Sequence, residues 1–74
     1  MDVRGVGDRW VAGEEIPGLD FGPNAAIEIT EGPHAGDGGT IIVLLAVRPE
    51  PLYLVELTSK RDVRVRQSAL RPVG

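Results

Sequence analysis

The spacing of apolar and polar residues predicts four short strands in this chain. Apolar and polar residues alternate in the segments 27–30 and 62–66, which is typical of a strand with one buried face. The segment 52–57 is mostly apolar and predicts another strand. The segment 40–47 is rich in β-branched residues and too short for a typical helix, so it predicts a strand buried on both faces.

The same alternation predicts which side chains face the core. In the segment 62–66, Val63 and Val65 are expected to point inward, and Arg64 and Arg66 are expected to lie side by side outside. Tyr53 is predicted to point outward, because the leucines on either side of it share the opposite face.

Glycine and proline residues separate these segments and set the predicted fold class. The sequence Arg-Pro-Glu-Pro at 48–51 predicts a turn, because each proline removes a backbone donor and disfavours helix at its predecessor. The first third predicts a strand around Arg9 to Ala12 and an irregular loop to Asn24. Residues 68–70 predict one helical turn that places Leu70 on the core. We therefore expect an all-β fold, a small barrel of about five short antiparallel strands, with residues 1–74 as one domain.

The segment 32–39, GPHAGDGG, contains four glycines and one proline between two predicted strands. This is more glycine than a simple hairpin needs. It predicts backbone that is left-handed or closely approached by another chain segment, which residues with a Cβ resist.

The pattern Ile-x-Ile-x-x-Gly-Pro-x-x-Gly-x-x-Gly-x-Ile resembles the KOW motif. That motif occurs in SH3-like barrels of transcription elongation factors of the NusG kind and of several large-subunit ribosomal proteins. The resemblance covers about Ile27 to Leu57. It implies an SH3-like barrel in which Gly39 is the most characteristic glycine and Gly32 and Gly36 are turn glycines.

Charge is divided unevenly along the chain and indicates two candidate binding segments. Residues 1–56 hold three arginines against ten acidic residues, a net charge of −7, whereas residues 57–74 have a net charge of +4. A polar interaction surface is therefore expected, facing either phosphate or protein carboxylates. The basic candidates are Arg64, Arg66, Lys60 and Arg61, and the acidic candidates are Glu14, Glu15 and Asp20.

The residue types that catalysis and metal binding need are scarce. The chain has one histidine, His34, and no cysteine, and a solvated or loop-packing role for His34 is favoured over a zinc ligand or general base. The glycine-rich segment leads into a strand, whereas phosphate-binding loops lead into a helix. We expect no enzymatic activity, cofactor, metal site or small-molecule substrate.

Composition then limits location and partners. The longest apolar run has seven residues, against roughly 20 for a membrane span, and no amino-terminal signal pattern is evident. A cytoplasmic protein without membrane binding is expected. The predicted function is a non-catalytic binding module, most simply a protein-interaction adaptor or regulator, since the chain is acidic and has only three aromatic residues for a peptide groove or base stacking. The alternative is a KOW-type nucleic-acid- or ribosome-associated protein of transcription or translation, favoured by the resemblance and by the basic carboxyl-terminal segment.

Overall fold

Five antiparallel strands form one sheet, and a helix precedes them. The computed structural model describes the backbone of residues 3–73 and the side chains of residues 5–73. The elements in chain order are helix α1 (Val3–Val11), strands β1 (Ala26–Ile29), β2 (Gly38–Ala46), β3 (Leu52–Leu57) and β4 (Asp62–Arg66), a 3₁₀ helix (Gln67–Ala69) and strand β5 (Leu70–Pro72).

The strands are ordered β4-β3-β2-β1-β5 across the sheet, so β4 and β5 lie at its edges. All four pairings are antiparallel. The prediction of about five short antiparallel strands is confirmed in number, and β3 and β4 have the predicted bounds, whereas β5 is a strand that the sequence did not predict. The helical turn is one residue earlier than predicted, and Leu70 is buried as expected.

The predicted strand around Arg9 to Ala12 is wrong, and the fold is mostly β instead of all-β. This segment belongs to α1 and to the turn that follows it. Val6 and Trp10 lie one helical turn apart and are both buried, so a single face of α1 contributes to the core. The helix ends in a Schellman motif: the amides of Gly13 and Glu14 donate to the carbonyls of Trp10 and Arg9, and Gly13 has φ 85°.

The predicted outward orientation of Tyr53 is also wrong. Tyr53 is 0% exposed and is paired with Leu44 on one side and Val65 on the other, both of which are buried. Leu52 and Leu54 do share the opposite face, but that face is the outer one, where both are half-buried. The tyrosine belongs inside because its ring packs against Trp10 and Phe21.

Strand β2 is not buried on both faces as predicted. Only Ile41 and Leu44 are fully buried in it, whereas Ile42 is 43% exposed. The register with β3 shifts between Ile41 and Val43 and again between Leu44 and Ala46. Each irregularity inserts an extra residue into β2. Because the first one lies between Ile41 and Leu44, both face the core although they are three positions apart.

The glycine-rich turn, residues 32–39, has the left-handed and closely approached backbone that its composition predicts. Gly32 and Gly36 have φ values of 87° and 93°. Gly39 is constrained differently, since a Cβ at this position would lie 2.6 Å from the carbonyl oxygen of Glu56 on β3. The close approach of β2 to β3 therefore requires glycine at position 39.

Candidate binding surface at the β4 edge

Strand β4 leaves one side of its backbone without a neighbouring strand in the part of the chain that the structure describes. The amide of Leu57 donates to the carbonyl of Arg61 at 2.8 Å, and the amide of Gln67 donates to the carbonyl of Pro51 at 2.9 Å. Hydrogen-bonded pairs alternate along an antiparallel ladder, so the backbone groups of Val63 and Val65 face β3. The N–H and C=O of Arg64 consequently point away from the sheet.

The basic side chains predicted to bind a partner lie on β4 and on the turn before it. Arg64 and Arg66 are both exposed, which confirms the predicted strand register. The Nε of Arg66 lies 4.0 Å from the Glu50 carboxylate, and within the described residues no ion pair involves Arg64. Lys60 and Arg61 are exposed at the β3–β4 turn. They therefore extend the positive charge beyond the strand.

Arg71, the last basic residue of the chain, has a structural partner on a neighbouring strand. It forms a hydrogen-bonded ion pair with Glu28, which lies directly opposite on β1. This pair connects β1 and β5 and accounts for Arg71 without a ligand. The basic surface is therefore restricted to residues 60–66.

The outer face of the sheet next to these arginines is apolar. Leu54 and Leu52 lie opposite Arg64 and Arg66 in the β3–β4 register. On their other side they pair with Val43 and Ala46 of β2. These four apolar residues are half-buried.

A groove of about 450 Å³ separates β4 from the glycine-rich turn. Residues 63–66 line one side, Gly32, Pro33 and His34 line the other, and Ile29 contributes apolar surface. The His34 Nδ1 lies 3.7 Å from the Asp37 carboxylate within the same turn. The structure thus places the glycine-rich turn and the basic strand, which are far apart in sequence, along one groove.

The acidic candidates lie in the loop between α1 and β1. Glu14, Glu15 and Asp20 are exposed and line a second groove of about 480 Å³. The Arg9 Nε lies 3.3 Å from the Glu14 carboxylate, so part of this negative charge is compensated locally. The groove also contains edges of Trp10 and Phe21, but both side chains are at least nine-tenths buried.

The Gln67 side chain joins the end of β4 to the acidic loop, the segment 14–20 between α1 and β1. The sequence does not indicate this connection. Its Oε1 accepts hydrogen bonds from the Tyr53 hydroxyl at 2.6 Å and from the Asp20 amide at 2.9 Å. Its Nε2 donates to the carbonyl of Gly18 at 3.0 Å. The two candidate segments are therefore neighbours in space, because Gln67 follows the basic strand directly.

The environment of Tyr53 affects its titration. Burial, together with the nearby Asp20 carboxylate, raises the pKa of Tyr53 to about 12. Its hydroxyl therefore remains a proton donor to Gln67 at physiological pH.

All three aromatic side chains of the protein form one buried cluster. The ring centroids of Trp10 and Phe21 lie 6.3 and 5.9 Å from that of Tyr53. The Trp10 Nε1 donates to the carbonyl of Phe21 at 2.7 Å, which fixes the indole inside. Because all three rings are buried in the core, none of them lies on the surface for stacking.

Within residues 3–73, no three histidine or acidic side chains are close enough together to hold a metal ion, and no helix is long and apolar enough to cross a membrane. Comparison with known protein families, curated proteins and solved structures finds no match for this chain.

Proposed function

We propose that this chain is a non-catalytic binding module with a KOW-type, SH3-like barrel, and that it binds a protein partner through the β4 side of its sheet. The strand order β4-β3-β2-β1-β5 and the required glycine at position 39 support this description of the fold. The core is formed by apolar side chains and contains no disulfide, since the chain has no cysteine.

One observation carries the proposal of a protein partner: the outer face of β3 and β4 combines apolar leucines with exposed arginines. Leu52 and Leu54 lie directly opposite Arg66 and Arg64. Protein interfaces typically have an apolar centre and are enriched in arginine. Because the aromatic rings are buried, the surface has little with which to stack nucleic-acid bases.

A nucleic-acid partner is the second candidate, and the clustering of positive charge favours it. Four exposed cations lie on β4 and the turn before it: Lys60, Arg61, Arg64 and Arg66. Side chains two apart on a strand are about 7 Å apart, close to the phosphate repeat of an extended nucleic-acid strand. Such contacts would be dominated by phosphate and would weaken steeply with salt.

The double substitution Arg64→Glu, Arg66→Glu tests the proposal. The intact chain is immobilised, captured protein and captured nucleic acid are both quantified from a lysate of the source organism, and capture is repeated after nuclease treatment. We expect the double variant to lose specific protein capture while its melting temperature changes little, because both side chains are exposed.

The matched control is Arg9→Glu, Arg48→Glu, which changes the net charge equally at exposed positions outside β4. Retained capture by the folded β4 variant and lost capture by the control would assign the interface to the acidic loop, since Arg9 is paired with Glu14. Nuclease-sensitive capture that falls steeply with salt would replace the protein partner by nucleic acid.

A further inference from the structure

We infer that the free edge of β4 binds an extended acidic segment of a partner protein, which adds to the sheet as a further strand in the groove beside the glycine-rich turn. This inference rests on the proposed function and identifies the chemistry of the partner. It also assigns a role to the backbone of β4, where the proposed function uses only side chains.

The backbone of β4 offers the hydrogen-bonding groups that strand addition needs. Val63 and Val65 use their N–H and C=O groups toward β3, so those of Arg64 face the groove. An incoming strand would pair with these groups in the way that exposed sheet edges bind extended peptides. The groove of about 450 Å³ runs along residues 63–66, where the added strand would lie.

The two faces of β4 define the side chains of the incoming strand. A residue directly opposite Arg64 or Arg66 shares the outer face with them and would meet a guanidinium, which favours glutamate or aspartate. The alternate residues would point toward Val65 and Ile29, which are buried, and toward half-buried Val63. The expected ligand therefore alternates acidic and aliphatic residues.

Charge complementarity favours an acidic partner strand over a second copy of β4. Residues 60–66 contain four cations and one carboxylate, a net charge of +3. Pairing of two β4 edges would bring two such segments together, and like charges on adjacent strands are destabilising. Glu31 also lines the groove and is a single carboxylate against the four cations of residues 60–66.

The test uses a labelled peptide, Val-Glu-Val-Glu-Val-Glu-Val, and the full-length chain, with binding followed by fluorescence anisotropy. The matched peptide has lysine in place of each glutamate. We expect the glutamate peptide to bind and the lysine peptide to bind at least about tenfold more weakly, because its charges oppose Arg64 and Arg66. Equal binding of the two peptides would overturn the inference.

Two N-methylated peptides test the backbone hydrogen bonds directly. In an antiparallel addition the glutamate amides face β4, so methylation of these amides removes binding and methylation of the valine amides does not. In a parallel addition the dependence is reversed. Loss of binding with one methylated peptide alone supports strand addition, and equal binding of both contradicts it.

The substitution Arg64→Pro provides the complementary change in the protein. It removes the outward N–H of residue 64 without breaking a β3–β4 hydrogen bond. Proline is tolerated in edge strands at positions whose N–H points away from the sheet. We expect the variant to bind the peptide at least about tenfold more weakly than Arg64→Ala, which lacks the same guanidinium but keeps the backbone N–H. If this variant does not fold, amide hydrogen exchange of Arg64 in the wild-type chain provides the test. The Arg64 amide should become protected when the peptide binds. Unchanged exchange would contradict strand addition.

Failure of this inference differs from failure of the proposed function. If the glutamate peptide does not bind but protein capture depends on Arg64 and Arg66, strand addition is wrong and the side-chain interface remains. If capture does not depend on these arginines, the proposed interface itself is wrong. Concentration-dependent dimers that lose assembly with Arg64→Pro would show that a second copy occupies the edge and would overturn the acidic-segment assignment.

Discussion

At the scale of single residues, Gly39 shows how one missing side chain allows two strands to pack. A Cβ at position 39 would lie 2.6 Å from the Glu56 carbonyl oxygen and 2.9 Å from Cγ1 of Val55. Gly39→Val should therefore reduce the free energy of unfolding by at least about 1–3 kcal/mol, the usual cost of overpacking. A urea titration of the variant measures this loss.

Gly38→Ala is the control for this prediction. A Cβ at position 38 would lie 3.7 Å from the Ile27 carbonyl oxygen, an ordinary contact, so alanine should be tolerated better than valine at position 39. An unchanged melting temperature for Gly39→Val would show that β2 and β3 are not this close.

Tyr53 makes stability depend on pH in the alkaline range. Burial raises the pKa of Tyr53 to about 12, whereas the tyrosine of an unfolded chain has a pKa of 10.0. Above pH 10 the unfolded chain loses this proton more readily than the folded protein, so stability should fall as pH rises through 10 to 12 and be fully present below that range.

Because Tyr53 is the only tyrosine, tyrosinate absorbance of the folded chain reports its titration directly. Denaturant titrations across the same pH range measure the loss of stability, and Tyr53→Phe should lack this component. Ionisation of the folded protein near pH 10 would contradict the burial of the hydroxyl.

At the scale of elements, the register of β4 decides which of its residues support the fold. Val65 is buried and Val63 is half-buried, whereas Arg64 is exposed. Val65→Ala should lower the free energy of unfolding by roughly 1–3 kcal/mol and Val63→Ala by less, because the methyl groups they remove are buried to different extents. Arg64→Ala should change it by less than about 0.5 kcal/mol.

Thermal and urea unfolding of these three variants provide the measurement. A larger loss for Arg64→Ala than for Val65→Ala would mean that the strand is shifted by one residue, which exchanges every side chain between the two faces. The same result would remove the basis for a basic surface on β4.

At the scale of the whole molecule, Gln67 attaches the amino-terminal third to the sheet. Its side chain binds Gly18 and Asp20 in the acidic loop and Tyr53 in β3. Gln67→Ala should lower the free energy of unfolding by about 1–2 kcal/mol, since the tyrosine hydroxyl loses its partner. Amide exchange should increase most at Asp20.

Ser68→Ala is the matched control, because the only hydrogen-bond partner of the Ser68 hydroxyl among the described residues is the half-buried Glu50 carboxylate. Its stability should stay within about 0.5 kcal/mol of wild type. Equal exchange at Asp20 in wild type and Gln67→Ala would show that the acidic loop does not depend on this side chain.

Much of the sheet could be predicted from the sequence, because its signals are local. Alternating side chains determine that Arg64 and Arg66 share a face, and this needs only the geometry of a strand. Glycine at positions 32 and 36 indicates left-handed backbone, which their φ values confirm. The bounds of β3 and β4 follow from the turns around them.

Only the tertiary structure decided how these parts combine. The helical conformation of α1 depends on burial of Val6 and Trp10, and the inward position of Tyr53 depends on aromatic neighbours 32 and 43 positions away in sequence. The contact between Gln67 and Asp20, and the position of β4 at a sheet edge beside the glycine-rich turn, join segments that no local pattern relates. Local spacing specifies which face a side chain occupies, whereas long-range packing specifies what that face meets.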